Sequence, residues 1–216
     1  MIEKLKVQGV VEDATPDCYL APAHFVEKGD SGKLRLVTDY KGINPQTRRI
    51  PHGYPTMQEL RDSIDPEAKR FLRIDCVSAY YQIPLDEESR DTTSFICDTE
   101  TGVQRLRYRI CPMGHTSSGD LWVKETDKIF MGAETHPWLS KQMDDLLIEA
   151  TGEEDQLEIK MARKLTVIAK KAEENNVVFS LVKLDYGSET TYSGFHLKSV
   201  PGAVVVTPDP KRTEAI

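Results

Sequence analysis

Three aspartates are the residues of this 216-residue chain whose placement could do chemistry. Asp144 and Asp145 are adjacent, and Asp75 closes the short run Phe71-Leu72-Arg73-Ile74. With 17 aspartates in the chain, chance alone yields about one Asp-Asp pair, so the dipeptide by itself says little. Its setting says more. Trp138-Leu139 precedes it and Leu146-Leu147-Ile148 follows, so two apolar strands would pin the acids in a tight turn. Carboxylates held together in this way need an offsetting cation. If the strand ending at Asp75 neighbours that hairpin, Asp75 and Asp144 present the hard oxygen donors that suit Mg²⁺. Two such ions a few ångströms apart stabilise the attacking and leaving oxygens of an in-line phosphoryl displacement. The alternative is that these are turn-favouring acids at strand ends. Spacing leaves both open.

Other devices are absent from the sequence. There is no G-x-x-x-x-G-K-[S/T], G-x-G-x-x-G, H-E-x-x-H or G-x-S-x-G. His24, His52, His115, His136 and His196 show no ligand spacing, and Cys18, Cys76, Cys97 and Cys111 include no C-x-x-C pair. Zinc and a disulfide framework are therefore poorly supported, and a reducing, intracellular, cytoplasmic setting is expected. No segment approaches the roughly 20 apolar residues of a membrane span, so no membrane partner is expected. Met1 to Val10 carries no apolar run behind its lysines and does not read as a signal peptide. With 39% hydrophobic and 29% charged residues, the chain can pack an interior.

Strands and helices alternate without regular βαβ spacing, which predicts an α+β fold. Ala23 to Val26 and Leu34 to Thr38 read as strands around the turn Gly29-Asp30-Ser31-Gly32. Thr56-Met57-Gln58-Glu59 fits a capping box opening a short helix that Pro66 stops. Arg70 to Asp75 is a compact strand, and Phe95 to Cys97 and Gln104 to Ile110 are two more joined near Thr101-Gly102. Trp138 to Met143 and Leu146 to Ala150 form a hairpin with Asp144-Asp145 at its tip. Helices are expected after Ser117 or Ser118 and from about Glu153 to Glu174, then three or four strands over Val177 to Val206.

The net charge of −7 argues, taken alone, against a nucleic-acid binder. The total hides a pattern. Lys28 to His52 holds six bases and two acids, while Asp120 to Glu158 holds eleven acids and three bases. Arg105, Arg107 and Arg109 alternate with Leu106, Tyr108 and Ile110, which predicts a strand with three arginines on one face. A solvated strand face explains them equally well.

Motifs in order along nearly the whole chain resemble the fingers and palm of a reverse transcriptase of the gypsy-type LTR retrotransposon and retroviral polymerase family. Gly9-Val10-Val11-Glu12 with Ala21 to Lys28 resembles the family's opening, and Leu34 to Asn44 its fingers motif. Arg73-Ile74-Asp75-Cys76 through Pro84 is similar to its first catalytic motif. Pro112-Met113-Gly114 with Ser117 to Asp120 resembles its second, and Gln142-Met143-Asp144-Asp145-Leu146 its catalytic hairpin. Tyr192 to Leu197 and Asp209 to Ile216 resemble the run into the thumb. The sequence departs from the family at Gln142, where an aromatic residue is usual, and at His115 and Thr116.

The resemblance implies a right-hand polymerase fold, with a palm of antiparallel sheet backed by helices, a fingers subdomain and a thumb largely absent. Fingers are expected at 1–57 and 85–112, palm at 58–84 and 113–206, and the start of the thumb at 207–216. It further implies Asp75, Asp144 and Asp145 as catalytic carboxylates and ligands of two Mg²⁺ ions, with Mn²⁺ as substitute. Lys28 and Arg35 would reach the incoming triphosphate, and the amides of Ser78 and Ala79 would touch phosphate. Tyr80 would lie under the sugar, excluding a 2′-hydroxyl, and Met113 and Met143 would line the nucleotide pocket. Core packing is the competing explanation for Tyr80, Met113 and Met143. Implied partners are an RNA or DNA template with primer, dNTP, and the thumb, connection and RNase H domains of a polyprotein; virus-like particles are the implied setting. The implied activity is RNA-directed DNA polymerisation. Two other readings stand beside it: an inactive or domesticated retroelement remnant binding nucleic acid or protein, and another Mg²⁺-dependent phosphoryl transferase.

Overall fold

The computed structural model describes residues 1–27, 32 and 34–210. Along the chain the strands are β1 (Val11–Asp13), β2 (Ala21–Glu27), β3 (Leu34–Thr38), β4 (Arg70–Asp75), β5 (Phe95–Thr99) and β6 (Gly102–Tyr108). They continue with β7 (Leu139–Gln142), β8 (Asp145–Ala150), β9 (Asp185–Gly187), β10 (Glu189–Tyr192), β11 (Phe195–Val200) and β12 (Ala203–Pro208). The helices are α1 (Ile2–Val7), α2 (Met57–Asp62), α3 (Glu87–Arg90), α4 (Ser118–Phe130) and α5 (Leu157–Glu174). The chain divides into two units, Met1–Pro51 with Ser78–Trp122 and His52–Val77 with Val123–Ile216.

In the first unit, five strands lie in the order β1-β6-β5-β2-β3. All pairs are antiparallel except β2 with β5, which run parallel with Ala21 opposite Phe95. Ile2, Val11, Leu36, Phe95, Leu106 and Tyr108 form its core. The helix α1 was not legible beforehand, because it has six residues and buries only Ile2. Of the three alternating arginines, Arg105 and Arg109 are exposed, and only Arg107 is withdrawn from solvent. Arg107 is buried and donates from Nε to Glu12 (2.8 Å), from Nη1 to Asp91 (2.9 Å) and from Nη2 to Glu87. Arg109 pairs with Glu12 at 3.5 Å, and Arg105 donates to the Pro16 carbonyl. Long-range partners decided this, not alternation along the strand. The loop after Cys111 is held by Asn44, whose Nδ2 donates to the Gly114 carbonyl (3.0 Å) and whose Oδ1 accepts from the Thr116 amide (2.9 Å). The tip of the β2–β3 hairpin, including Lys28, lies outside the described residues.

The second unit begins with the capping box. Thr56 Oγ1 accepts from the Glu59 amide (3.1 Å), and Glu59 Oε2 accepts from the Thr56 amide (2.7 Å), which starts α2. A four-stranded antiparallel sheet follows in the order β7-β8-β4-β9. Residues directly opposed across a ladder share a face. Phe71, Arg73 and Asp75 therefore line one face with Glu149, Leu147 and Asp145. Phe71 and Leu147 are fully buried there against Leu60, Ile64, Tyr192 and Leu197, the last two from the sheet β10-β11-β12. The alternate set Leu72, Ile74, Leu146 and Ile148 is buried as well. Both faces are covered, which is why these strands read as almost unbroken apolar runs. The helix α5 packs on β8 and β4 through a stripe that buries Leu157, Met161, Ile168 and Ala172. The last strand runs to Pro208, so the expected thumb start overlaps β12, and residues 211–216 lie outside the described residues. No described helix is long and apolar enough to cross a membrane.

Candidate active site

The site is built at one end of the β4–β8 ladder. The register places Asp75, the last residue of β4, directly opposite Asp145, the first of β8. Opposed residues in such a ladder have their Cβ atoms about 5 Å apart. The hairpin tip differs from expectation by one residue: Met143 and Asp144 form the turn, Gln142 faces Asp145, and Asp145 is already strand. Met143 carries a positive φ of 55°. A two-residue hairpin needs positive φ at its first central position to match strand twist, and a side chain held there costs about 1–2 kcal/mol. The flanking strands, buried on both faces, impose that conformation. Two backbone bonds lock the corner: the Cys76 amide donates to the Asp144 carbonyl (3.0 Å), and the Ser180 amide to the Asp75 carbonyl (2.8 Å).

Three carboxylates stand at this corner, and burial acts on two of them, Asp144 and Asp145. Burial raises the Asp144 carboxyl above its ordinary range, and the charge of Asp75 raises it further. Burial pushes Asp145 up to about 6; Arg73 pulls it down while Asp144 and Asp75 add to the rise. Burial likewise pushes the neighbouring Cys76 thiol up to about 12, so it stays protonated at neutral pH.

Three cations surround the corner, and none was singled out from the sequence. Lys183 Nζ contacts Asp75 Oδ2 at 2.6 Å. That hydrogen bond, with the charges of the three aspartates, raises the Lys183 ammonium above its usual value. Arg73 lies on the same face as Asp145, one step diagonally across the ladder. Lys141 is buried in β7, its Nζ held by Asp127 at 2.9 Å, and Asp127 also meets His52 Nε2 at 2.7 Å. A signal did exist for two of them. Arg73 and Lys141 are charges inside apolar strand segments, each within three residues of an aspartate of the site. Lys183 had none, since its contact with Asp75 spans 108 positions.

Carboxylate oxygens are the kind of donor a hard divalent cation takes, and Asp75 is paired with the Lys183 ammonium. As placed, however, no group of three or more His, Cys, Asp or Glu side chains among the described residues encloses a metal position. One oxygen of Asp75 is turned to Lys183 instead.

The other expected residues are distributed as follows. Arg35 is exposed on β3, and its charge is felt by Tyr81. Ser78 adopts a left-handed conformation (φ 48°) and caps a short 3-10 turn at Ala79–Gln82; Ala79 is buried and Tyr80 half-buried. Met113 is exposed in the loop that Asn44 holds. These five belong to the first unit, while Met143 and the three aspartates belong to the second. Lys28 lies outside the described residues. Gln142, where the family usually has an aromatic residue, buries an Oε1 with no hydrogen-bond partner among the described residues.

An antiparallel sheet that sets paired acids against a third on the adjoining strand is the arrangement of a polymerase palm. Comparison with known proteins makes this specific. Residues 26–197 match the family model of reverse transcriptase (RNA-dependent DNA polymerase), and the chain belongs to that family. The enzymatic polyprotein of Figwort mosaic virus is 27% identical over 165 residues, covering 73% of this chain and 24% of the polyprotein. That of Cauliflower mosaic virus (strain Strasbourg) is 27% identical over 168 residues, covering 76% and 23%. The chain thus spans about a quarter of the length of these relatives. Among solved structures, a foamy viral protease-reverse transcriptase in complex with double-stranded DNA superposes with a TM-score of 0.79 at 22% identity, over 98% of this chain and 35% of that one. The fold is that of the fingers and palm of a right-hand polymerase, α+β with antiparallel sheets and helices.

Proposed function

We propose that this chain is the core of an RNA-directed DNA polymerase: a primer 3′-hydroxyl attacks the α-phosphate of a template-paired dNTP, and pyrophosphate leaves. The observation that carries this is the register setting Asp75 against Asp145 beside the Met143-Asp144 turn, within a family match over residues 26–197. Asp75, Asp144 and Asp145 would hold two Mg²⁺ ions, or Mn²⁺ in their place, which when bound neutralise charge at the attacking and leaving oxygens. Each other residue has a binding task. Arg35, with Lys28, grips the triphosphate; the amides of Ser78 and Ala79 meet phosphate; Tyr80 lies under the sugar, where a 2′-hydroxyl would clash. Met113 and Met143 would line the nucleotide pocket. Template and primer are the nucleic-acid partners, which fits the relatives: one foamy viral neighbour was solved with double-stranded DNA and another with an RNA/DNA hybrid. A polyprotein context and a reducing, cytoplasmic setting, with virus-like particles as one location, belong to the same reading. Polyprotein relatives and four free cysteines support it.

The test is extension of a labelled primer on an RNA template with dNTPs and Mg²⁺, by the chain alone and joined to a thumb segment. Extension that Asp144→Asn abolishes is expected. A folded, thumb-containing protein that binds primer-template without extending it would overturn the reading in favour of a binding module.

A further inference from the structure

The side-chain amide of Asn44 is bonded at both ends to the backbone of one loop, and the proposed reaction gives it no task. Its Nδ2 donates to the Gly114 carbonyl at 3.0 Å, and its Oδ1 accepts from the Thr116 amide at 2.9 Å. Between those two points the His115 ring stands edge-on to Tyr40, with centroids 5.5 Å apart. Ser117 Oγ adds a longer bond to the Arg48 carbonyl at 3.4 Å. The base of this clasp is stiff. Tyr40 is buried and donates to the Thr93 carbonyl at 3.0 Å. Two 3-10 turns, Tyr40–Gly42 and Asn44–Gln46, are braced from within by Gln46 Nε2 on the Gly42 carbonyl and Thr47 Oγ1 on the Ile43 carbonyl, each at 3.1 Å. The loop is closed on itself by Ser118 Oγ on the Pro112 carbonyl at 2.6 Å. Met113, next to the clasped Gly114, is exposed. The stretch that carries Asn44 follows directly on β3, which carries Arg35.

We infer that Asn44 is a positioning residue of the nucleotide site: it touches no substrate, and it fixes the loop of Met113 against the segment that follows Arg35. This rests on the reading of the chain as a polymerase whose nucleotide pocket Met113 lines. Hydrogen bonds from a partly solvated amide contribute little to global stability. A loop that shifts by an ångström, by contrast, weakens everything it helps to place. Loss of the clasp therefore shows in nucleotide affinity, because binding then draws only on the molecules whose loop is in place.

The experiment is single-nucleotide incorporation by the thumb-containing protein of the extension assay, with amide hydrogen exchange across the loop as a readout independent of activity. Asn44→Ala should raise the KM for dNTP about tenfold and leave kcat within about twofold, the effect of two such bonds on the population of the placed loop. Its Thr116 amide should exchange faster than in wild type. Asn44→Asp keeps the acceptor and loses the donor, so its Thr116 amide should stay protected and its KM should fall between the two. An unchanged KM in a folded Asn44→Ala, with or without a loss in kcat, overturns the positioning role and leaves the polymerase reading standing. A Thr116 amide as protected in Asn44→Ala as in wild type does the same. If Asn44→Ala does not fold, a wild-type KM in Asn44→Asp overturns the role. A folded wild-type protein that binds primer-template without extending it overturns the polymerase reading, and the positioning role with it.

Discussion

Glu149, next to last in β8, has 1% of its surface exposed, and its charge state should set how the stability of this protein depends on pH. Its Oε2 accepts one hydrogen bond, from the Asp65 amide at 2.8 Å, while Oε1 has no partner among the described residues. Burial pushes the carboxyl from an ordinary 4.5 up to about 8; the Asp65 amide pulls it back and the Asp65 charge pushes it further. Between those two values the folded protein keeps a proton that the unfolded chain has released. Stability from this group is therefore complete below the unfolded value and is lost as pH rises towards the folded one. The slope is about 1.4 kcal/mol per pH unit within the window. Glu149→Gln keeps an acceptor for the Asp65 amide and cannot ionise, so it removes the slope. Urea unfolding of both proteins at pH 5, 6, 7 and 8 reads the difference, in which every other titrating group largely cancels. The variant should gain on wild type by roughly 3–4 kcal/mol from pH 5 to 8. A difference that stays flat across the series would refute the assignment of a neutral, desolvated carboxyl at this position.

Arg107→Met should cost the first unit about 1–2 kcal/mol, because Asp91 loses its guanidinium while Glu12 and Glu87 keep Arg90 and remain partly solvated. Arg107→Lys should restore less than half of that in a denaturation midpoint, since an ammonium cannot span three carboxylates. Gly114 has a φ of +88°, with only ordinary contacts awaiting a Cβ (Thr38 O at 3.5 Å). Gly114→Ala should therefore cost about 1–2 kcal/mol from backbone strain alone, read by the same unfolding assay.

The local features of this protein were legible residue by residue. β4 spans Arg70–Asp75, the range its apolar run marked out, and the Thr56–Glu59 capping box is present in full. Both depend on neighbours within a few positions, where composition and spacing carry the information. The hairpin was legible too, but its turn was misplaced by one residue. A side chain at positive φ is costly in isolation, so Met143 did not look like a turn residue until the buried strands on both sides imposed it. The alternating arginines Arg105, Arg107 and Arg109 show the same limit. Their alternation was visible, whereas burial of Arg107 depends on Glu12, Glu87 and Asp91, which converge only once β1, β6 and α3 are assembled.

The candidate acids and the family were legible in the sequence: Asp75, Asp144 and Asp145 stand at or beside strand ends whose apolar character is written in adjacent residues. Tertiary structure alone decided which of them face each other and what offsets their charge. The β4–β8 register puts Asp75 opposite Asp145, and Lys183 arrives at 2.6 Å from 108 positions away. Register and ion pairing are long-range choices, set by burying both faces of a sheet at once, and no local window contains them.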